Sequence, residues 1–95
     1  MVLFCEYTVP ENHREAFLAW VRRHPELWRD AEFMESADQP GVFLEIRQAV
    51  DEEDALRKKA ERRQGRSEWR EMEGWIKGGR DGLRLWTFRS VSRDG

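Results

Sequence analysis

Apolar positions follow two rhythms along this chain, a strand-like alternation and a helical recurrence. Val2 to Val9 is an almost unbroken apolar, β-prone run closed by Pro10, which predicts a first strand. Pro10 suits the first turn of a helix, where its missing N–H is not needed, and Asn12 with Glu15 offers a competing capping box. Phe17, Trp20, Val21 and His24 then recur at helical spacing, with His13 one turn before Phe17. Pro25 should stop that helix, because the residue before a proline avoids the α region.

Glu32 to Ser36 predicts a short second strand, and Asp38-Gln39-Pro40-Gly41 a turn into a third strand over Val42 to Ala49. Asp51 to Gln64 predicts a helix with acids in its first turn and bases in its last, as the macrodipole favours. Gly65 breaks or kinks it. Ser67 can cap a further piece whose stripe is Trp69, Met72, Trp75 and Ile76. The run Gly78 to Gly82 turns the chain into a fourth strand over Leu83 to Val91.

This order, β-α-β-β-α-β, predicts an α+β ferredoxin-like domain spanning residues 1–95: a four-stranded antiparallel sheet with both helices on one face. The uncovered face should be polar in a monomer. Instead both sides of the strands are apolar. Val2 and Phe4 oppose Leu3, Cys5, Tyr7 and Val9; Val42, Leu44 and Ile46 oppose Phe43; Leu83 and Leu85 oppose Trp86 and Phe88. A sheet face of that kind exceeds the few hundred Å² that monomers tolerate, and a second copy across a two-fold axis is the simplest cover. A homodimer through the sheet face is expected.

Composition narrows the alternatives. A 95-residue chain buries only about two-thirds of its unfolded surface. Cys5 is the single cysteine, which removes an internal disulfide and a cysteine-based zinc site as stabilisers. A lone thiol, no signal-peptide pattern and no membrane-length apolar run lead to the expectation of a cytoplasmic protein without membrane attachment. With 19 acids against 17 bases and a formal charge of -2, no nucleic-acid partner is expected. An RNA-recognition motif shares the element order, but the third strand has one aromatic, Phe43, with Glu45 beside it on the same face.

The stretch Gly41-Val42-Phe43-Leu44-Glu45-Ile46-Arg47, followed by Asp51-Glu52-Glu53-Asp54-Ala55-Leu56, resembles the dimeric α+β barrel superfamily. Within it, the chain resembles the antibiotic-biosynthesis-monooxygenase-like (ABM) domains from about Val2 to Val91. The resemblance implies two sheets paired into a barrel and, in members that are enzymes, a pocket between sheet and helices. Activities in the superfamily include cofactor-free oxygenation of polycyclic phenols and haem degradation. Where members often carry a histidine after the Ala-Leu pair, this chain reads Arg57-Lys58-Lys59. Strand one offers Glu6 and Tyr7 rather than the asparagine of the haem-degrading branch, so haem degradation is not expected.

Candidate chemistry rests on few residues. His13 and His24 lie eleven positions apart, about 16 Å along a helix, and cannot share a metal ion; no metal site and no cofactor is expected. His13 is the candidate general base, against a plain surface histidine. Glu45 and Arg47 share a strand face with Phe43. If that face meets the helices, burial would raise the Glu45 carboxyl towards a useful range. The bland alternative is a salt bridge from Glu45 to Arg47 or Arg84. Tyr7 is placed to steady a phenolate or to anchor the dimer.

Trp20, Phe43, Trp69 and Trp86 are the candidate substrate-binding wall, with a packed core as the alternative. Cys5 reads as an inert buried thiol, and the basic run Arg57 to Arg66 as a solvated helix face. Two functions follow: a cofactor-free monooxygenase acting on a hydrophobic aromatic substrate, or a non-catalytic ligand-binding or structural homodimer.

Overall fold

A computed structural model describes residues 1–65 and 67–93. β1 (Val2–Thr8) leads to α1 (Glu11–Arg23), a 3₁₀ turn at Pro25–Leu27, and the hairpin of β2 (Ala31–Glu35) and β3 (Val42–Gln48). α2 (Glu52–Gln64) and α3 (Ser67–Glu73) follow, then a 3₁₀ turn at Gly79–Gly82 and β4 (Arg84–Phe88). The sheet order is β2-β3-β1-β4, with all three pairings antiparallel. This is the α+β ferredoxin-like arrangement that the element order predicts.

Several boundaries shift by a residue or more from the sequence reading, and three of them are instructive. Pro10 sits just before α1 as its N-cap rather than inside it, and no side chain caps that end, so the Asn12 capping box does not form. α3 stops at Glu73, yet its stripe stays inward because the following turn carries on: Met72 and Ile76 are buried and Trp75 packs against the core. β4 ends at Phe88, which pairs with Val2 at the start of β1. α2, by contrast, starts as expected: Asp51 Oδ1 accepts from the Asp54 backbone N–H at 2.8 Å, and Asp54 Oδ2 accepts from that of Val50.

The helix-facing side of the sheet carries Leu3, Cys5, Tyr7, Phe43, Glu45, Arg47 and Leu85, all buried. Phe17 and Trp20 from α1 and Trp69 and Met72 from α3 close over it. The other side carries Val2, Phe4, Val42, Leu44, Ile46, Met34, Trp86 and Phe88. No helix covers it: Met34, Trp86 and Phe88 are 41–48% exposed, and Phe4 and Phe88 touch each other at 4.8 Å between ring centroids. One ion pair crosses this face, Arg84 to Glu6 at 3.5 Å, on directly paired residues of β4 and β1. No helix among the described residues is long and apolar enough to cross a membrane.

Candidate functional site

The pleat of two central strands brings Tyr7 and Glu45 to the same buried level. Tyr7 pairs with Phe43 in the β1–β3 register, so Glu45 and Arg47 follow on the same face toward the start of β1. Glu45 is fully buried, and four donors converge on its carboxylate. Oε2 accepts from the Tyr7 hydroxyl at 2.6 Å and from Arg62 Nη2 at 2.8 Å; Oε1 accepts from Arg62 Nε at 2.9 Å and Arg47 Nη1 at 2.5 Å. An ionised carboxylate has about four acceptor sites. All are in use.

Arg62 reaches this carboxylate from α2 and lies over the Trp69 ring, its guanidinium carbon 3.9 Å from the centroid. A desolvated cation over an indole is worth about 2 kcal/mol. The Gly65 bend that ends α2 lets Trp69 come this close: φ is +54°, and an added Cβ would lie 3.0 Å from the Trp69 Cβ. Arg47 spends its other nitrogens on Asp30 Oδ1 at 3.3 Å and the Leu27 carbonyl at 2.9 Å.

These contacts reverse the expected titration of Glu45. Burial pushes its carboxyl up, but the Arg62 charge and hydrogen bonds, the Arg47 charge and the Tyr7 hydroxyl together outweigh it, and the group ends below its ordinary value. Arg62 is correspondingly held protonated: burial alone would lower it, and Glu45 more than compensates. The Tyr7 hydroxyl is pushed well up by burial and by the neighbouring Glu45 charge. The Cys5 thiol, pushed up to about 12 by burial and Glu45, is inert as expected. Glu45 is therefore a fixed, saturated counter-ion rather than a group poised to take a proton near neutrality.

The other sequence candidates disperse. Trp20 and Phe43 are core: both rings pack against Phe17, and the Trp20 indole N–H donates to Glu71 Oε2 at 3.0 Å. Trp69 joins the core and also borders open space. Trp86 lies on the uncovered sheet face, away from the other three, since it pairs with Phe4 rather than with a helix-facing residue. His13 is half-buried on the first turn of α1 and belongs neither to the Glu45 network nor to the cleft described below. The salt-bridge alternative for Glu45 holds with Arg47; Arg84 pairs with Glu6 on the opposite face.

Arg62 is the residue that the sequence reading missed, because the basic run around it was assigned to solvent. The signal was present. Arg62 lies seven residues after Ala55, two helical turns on, and these two are the buried positions of α2. The end of that run, Arg66, lies outside the described residues.

Beside the network, the Pro25–Leu27 turn faces α2 across a half-open cleft of about 830 Å³. Leu27, Arg47, Arg62 and Trp69 form its inner wall; Arg29, Asp30, Arg57, Lys58, Ala60 and Glu61 are among its outer residues. Its volume lies within the usual range of about 300–1,000 Å³ for ligand sites. Trp28, next to the cleft-lining Leu27 and Arg29, carries one buried indole N–H without a partner among the described residues. Among the same residues, no group of three or more His, Cys, Asp or Glu side chains is placed to hold a metal ion.

No family model matches the chain, and no curated protein matches it. Among solved structures it is similar to a protein described as "Putative antibiotic biosynthesis monooxygenase from Nitrosomonas europaea", with a TM-score of 0.66 and 19% identity over 99% of this chain and 92% of that one. The likeness extends over nearly the whole of both chains, and at this identity it speaks to architecture. The chain has the ABM-like α+β fold that its third strand and second helix suggested.

Proposed function

We propose that the chain works as a homodimer joined through the open sheet face, which holds a small ligand in the cleft between the Pro25–Leu27 turn and α2 without turning it over. The observation that carries the binding reading is occupancy. The space between sheet and helices, where the family resemblance puts a substrate, is filled by Tyr7, Phe17, Trp20, Phe43 and Trp69 packed ring against ring. The buried carboxylate facing that space, Glu45, has no acceptor site left. The cleft, with charged and apolar groups side by side, offers room for a small molecule. The dimer is supported by the exposed apolar face, which a second copy would cover.

A second reading, a cofactor-free oxygenase, is supported by the fold shared with the Nitrosomonas europaea protein. There the substrate anion would itself reduce O₂, one oxygen atom entering the product and the other leaving as water. One experiment separates the two: calorimetric titration with flat phenols, naphthols and aromatic acids, with O₂ uptake and product mass followed in parallel. Saturable heat with no uptake and unchanged ligand is the expected result. Protein-dependent uptake that yields an oxygenated product would overturn the binding reading.

A further inference from the structure

Two buried guanidinium groups, Arg47 and Arg62, share the single buried carboxylate of Glu45. Asp30 adds a contact to Arg47 at 3.3 Å, but its side chain is 65% exposed and its charge is largely screened by water. The inner wall of the cleft therefore carries more positive than negative charge. Arg47 has its Nε, Nη1 and Nη2 all engaged. Arg62 engages Nε and Nη2, while Nη1 has no partner among the described residues. The Arg62 side chain is only 3% exposed, yet Nη1 is not among the sealed, unpartnered atoms, where Trp28 Nε1 stands alone. Among the described residues Nη1 is left without a partner, and the open space that Arg62 borders is the cleft.

This donor is charged, locked by Glu45 and by the Trp69 ring, and unsatisfied among the described residues. A charge-assisted hydrogen bond is what it lacks. The same cleft is lined by Leu27, Ala60 and Trp69, which suit an apolar body. The outer acids Glu26, Asp30 and Glu61 are matched in number by Arg29, Arg57 and Lys58, so the single surplus charge of the inner wall suits a ligand of one negative charge. Resting on the binding reading above, we infer that the cleft takes a small organic monocarboxylate, its carboxylate on Arg62 Nη1 and its apolar body against Leu27, Ala60 and Trp69.

The test is isothermal titration calorimetry at neutral pH with naphthalene-2-carboxylate, its neutral amide and inorganic phosphate. The carboxylate should bind about tenfold or more tightly than the amide, and phosphate should give no saturable heat at millimolar concentration. Equal affinity for acid and amide would overturn the inference while leaving a binding cleft. No saturable heat from either aromatic probe would remove the binding reading along with it. Ala60→Phe, an exposed substitution on α2, should abolish carboxylate binding with an unchanged urea midpoint. Undiminished binding in that variant would put the site elsewhere and refute the assignment. If Arg62→Met folds, it should lose the preference for acid over amide; a retained preference would likewise refute it.

Discussion

The two faces of this sheet are built from the same strands and solve opposite problems. On the helix-facing side, Tyr7, Glu45, Arg47 and Arg62 form a charged network sealed by Phe17, Trp20, Phe43 and Trp69. Each polar group there owes its place to a named partner, so loss of one leaves another uncompensated. The open side has the reverse composition: Val2, Phe4, Leu44, Ile46, Trp86 and Phe88, crossed by the Glu6–Arg84 pair. Its side chains are apolar and lack cover. One face is covered within the chain; the other is open, and the proposed dimer is what would cover it.

The sharpest way to break this comparison is to remove the centre of the closed face. Glu45→Gln leaves Arg47 and Arg62 buried without a counter-ion and should cost about 3–5 kcal/mol in urea unfolding. Replacing the pair together, as Glu45→Leu with Arg62→Met, should recover most of that loss, because two apolar groups demand no partner. A single substitution costing under about 1 kcal/mol would mean that the network is solvated.

The pH dependence should be almost as large. Cys5 is raised from 9.0 to about 12 in the fold, so its contribution is full below pH 9 and is lost as pH rises toward 12. The total is about 4 kcal/mol, and Tyr7, also raised, adds to the loss above pH 10. Cys5→Ala should remove the part of this decline that begins at pH 9; an unchanged alkaline limb would count against a sealed thiol. At acid pH the sign is opposite. Glu45 is lowered from 4.5, so its contribution is full above pH 4.5 and is lost as pH falls below it.

Effects on the open face should appear in association before they appear in folding. Leu44→Arg puts a charge on the open face between its cross-strand neighbours Met34 and Glu6 and should raise the dimer dissociation constant at least about thirtyfold, equivalent to roughly 2 kcal/mol. Sedimentation at several concentrations would measure it, and an unchanged constant would remove Leu44 from the interface. The smallest effect should come from Arg84→Ala. Its pair with Glu6 is long and its side chain 68% exposed, so unfolding of the separated chain should change by less than about 0.5 kcal/mol.

The contrast also explains what could be read from residues alone. Alternation in β1 and β3 separated the two faces, and Pro10, Gly41 and Gly65 marked the boundaries, because those signals act within a few residues of each other. Gly41 shows why: its φ of +94° brings it so close to the Val9 carbonyl that a Cβ would stand 2.8 Å away. The grouping of Phe43, Glu45 and Arg47 was legible for the same reason, being a matter of strand parity, whereas Tyr7 joins them through the β1–β3 register. Arg62 joins them from 17 residues beyond Glu45, across a helix whose composition looks solvated. That residue decides whether Glu45 sits raised or lowered. Trp86 was misplaced among the ligand-binding aromatics for a related reason: residue type suggested stacking, while strand parity puts it with Phe4 on the open face.

Sedimentation equilibrium of the unmodified protein tests the central claim most directly. The account predicts a single species of twice the 11.4 kDa chain mass at micromolar concentration, shifted toward the monomer by Leu44→Arg. A monomer that persists at high concentration, with the open apolar face in water, would contradict it.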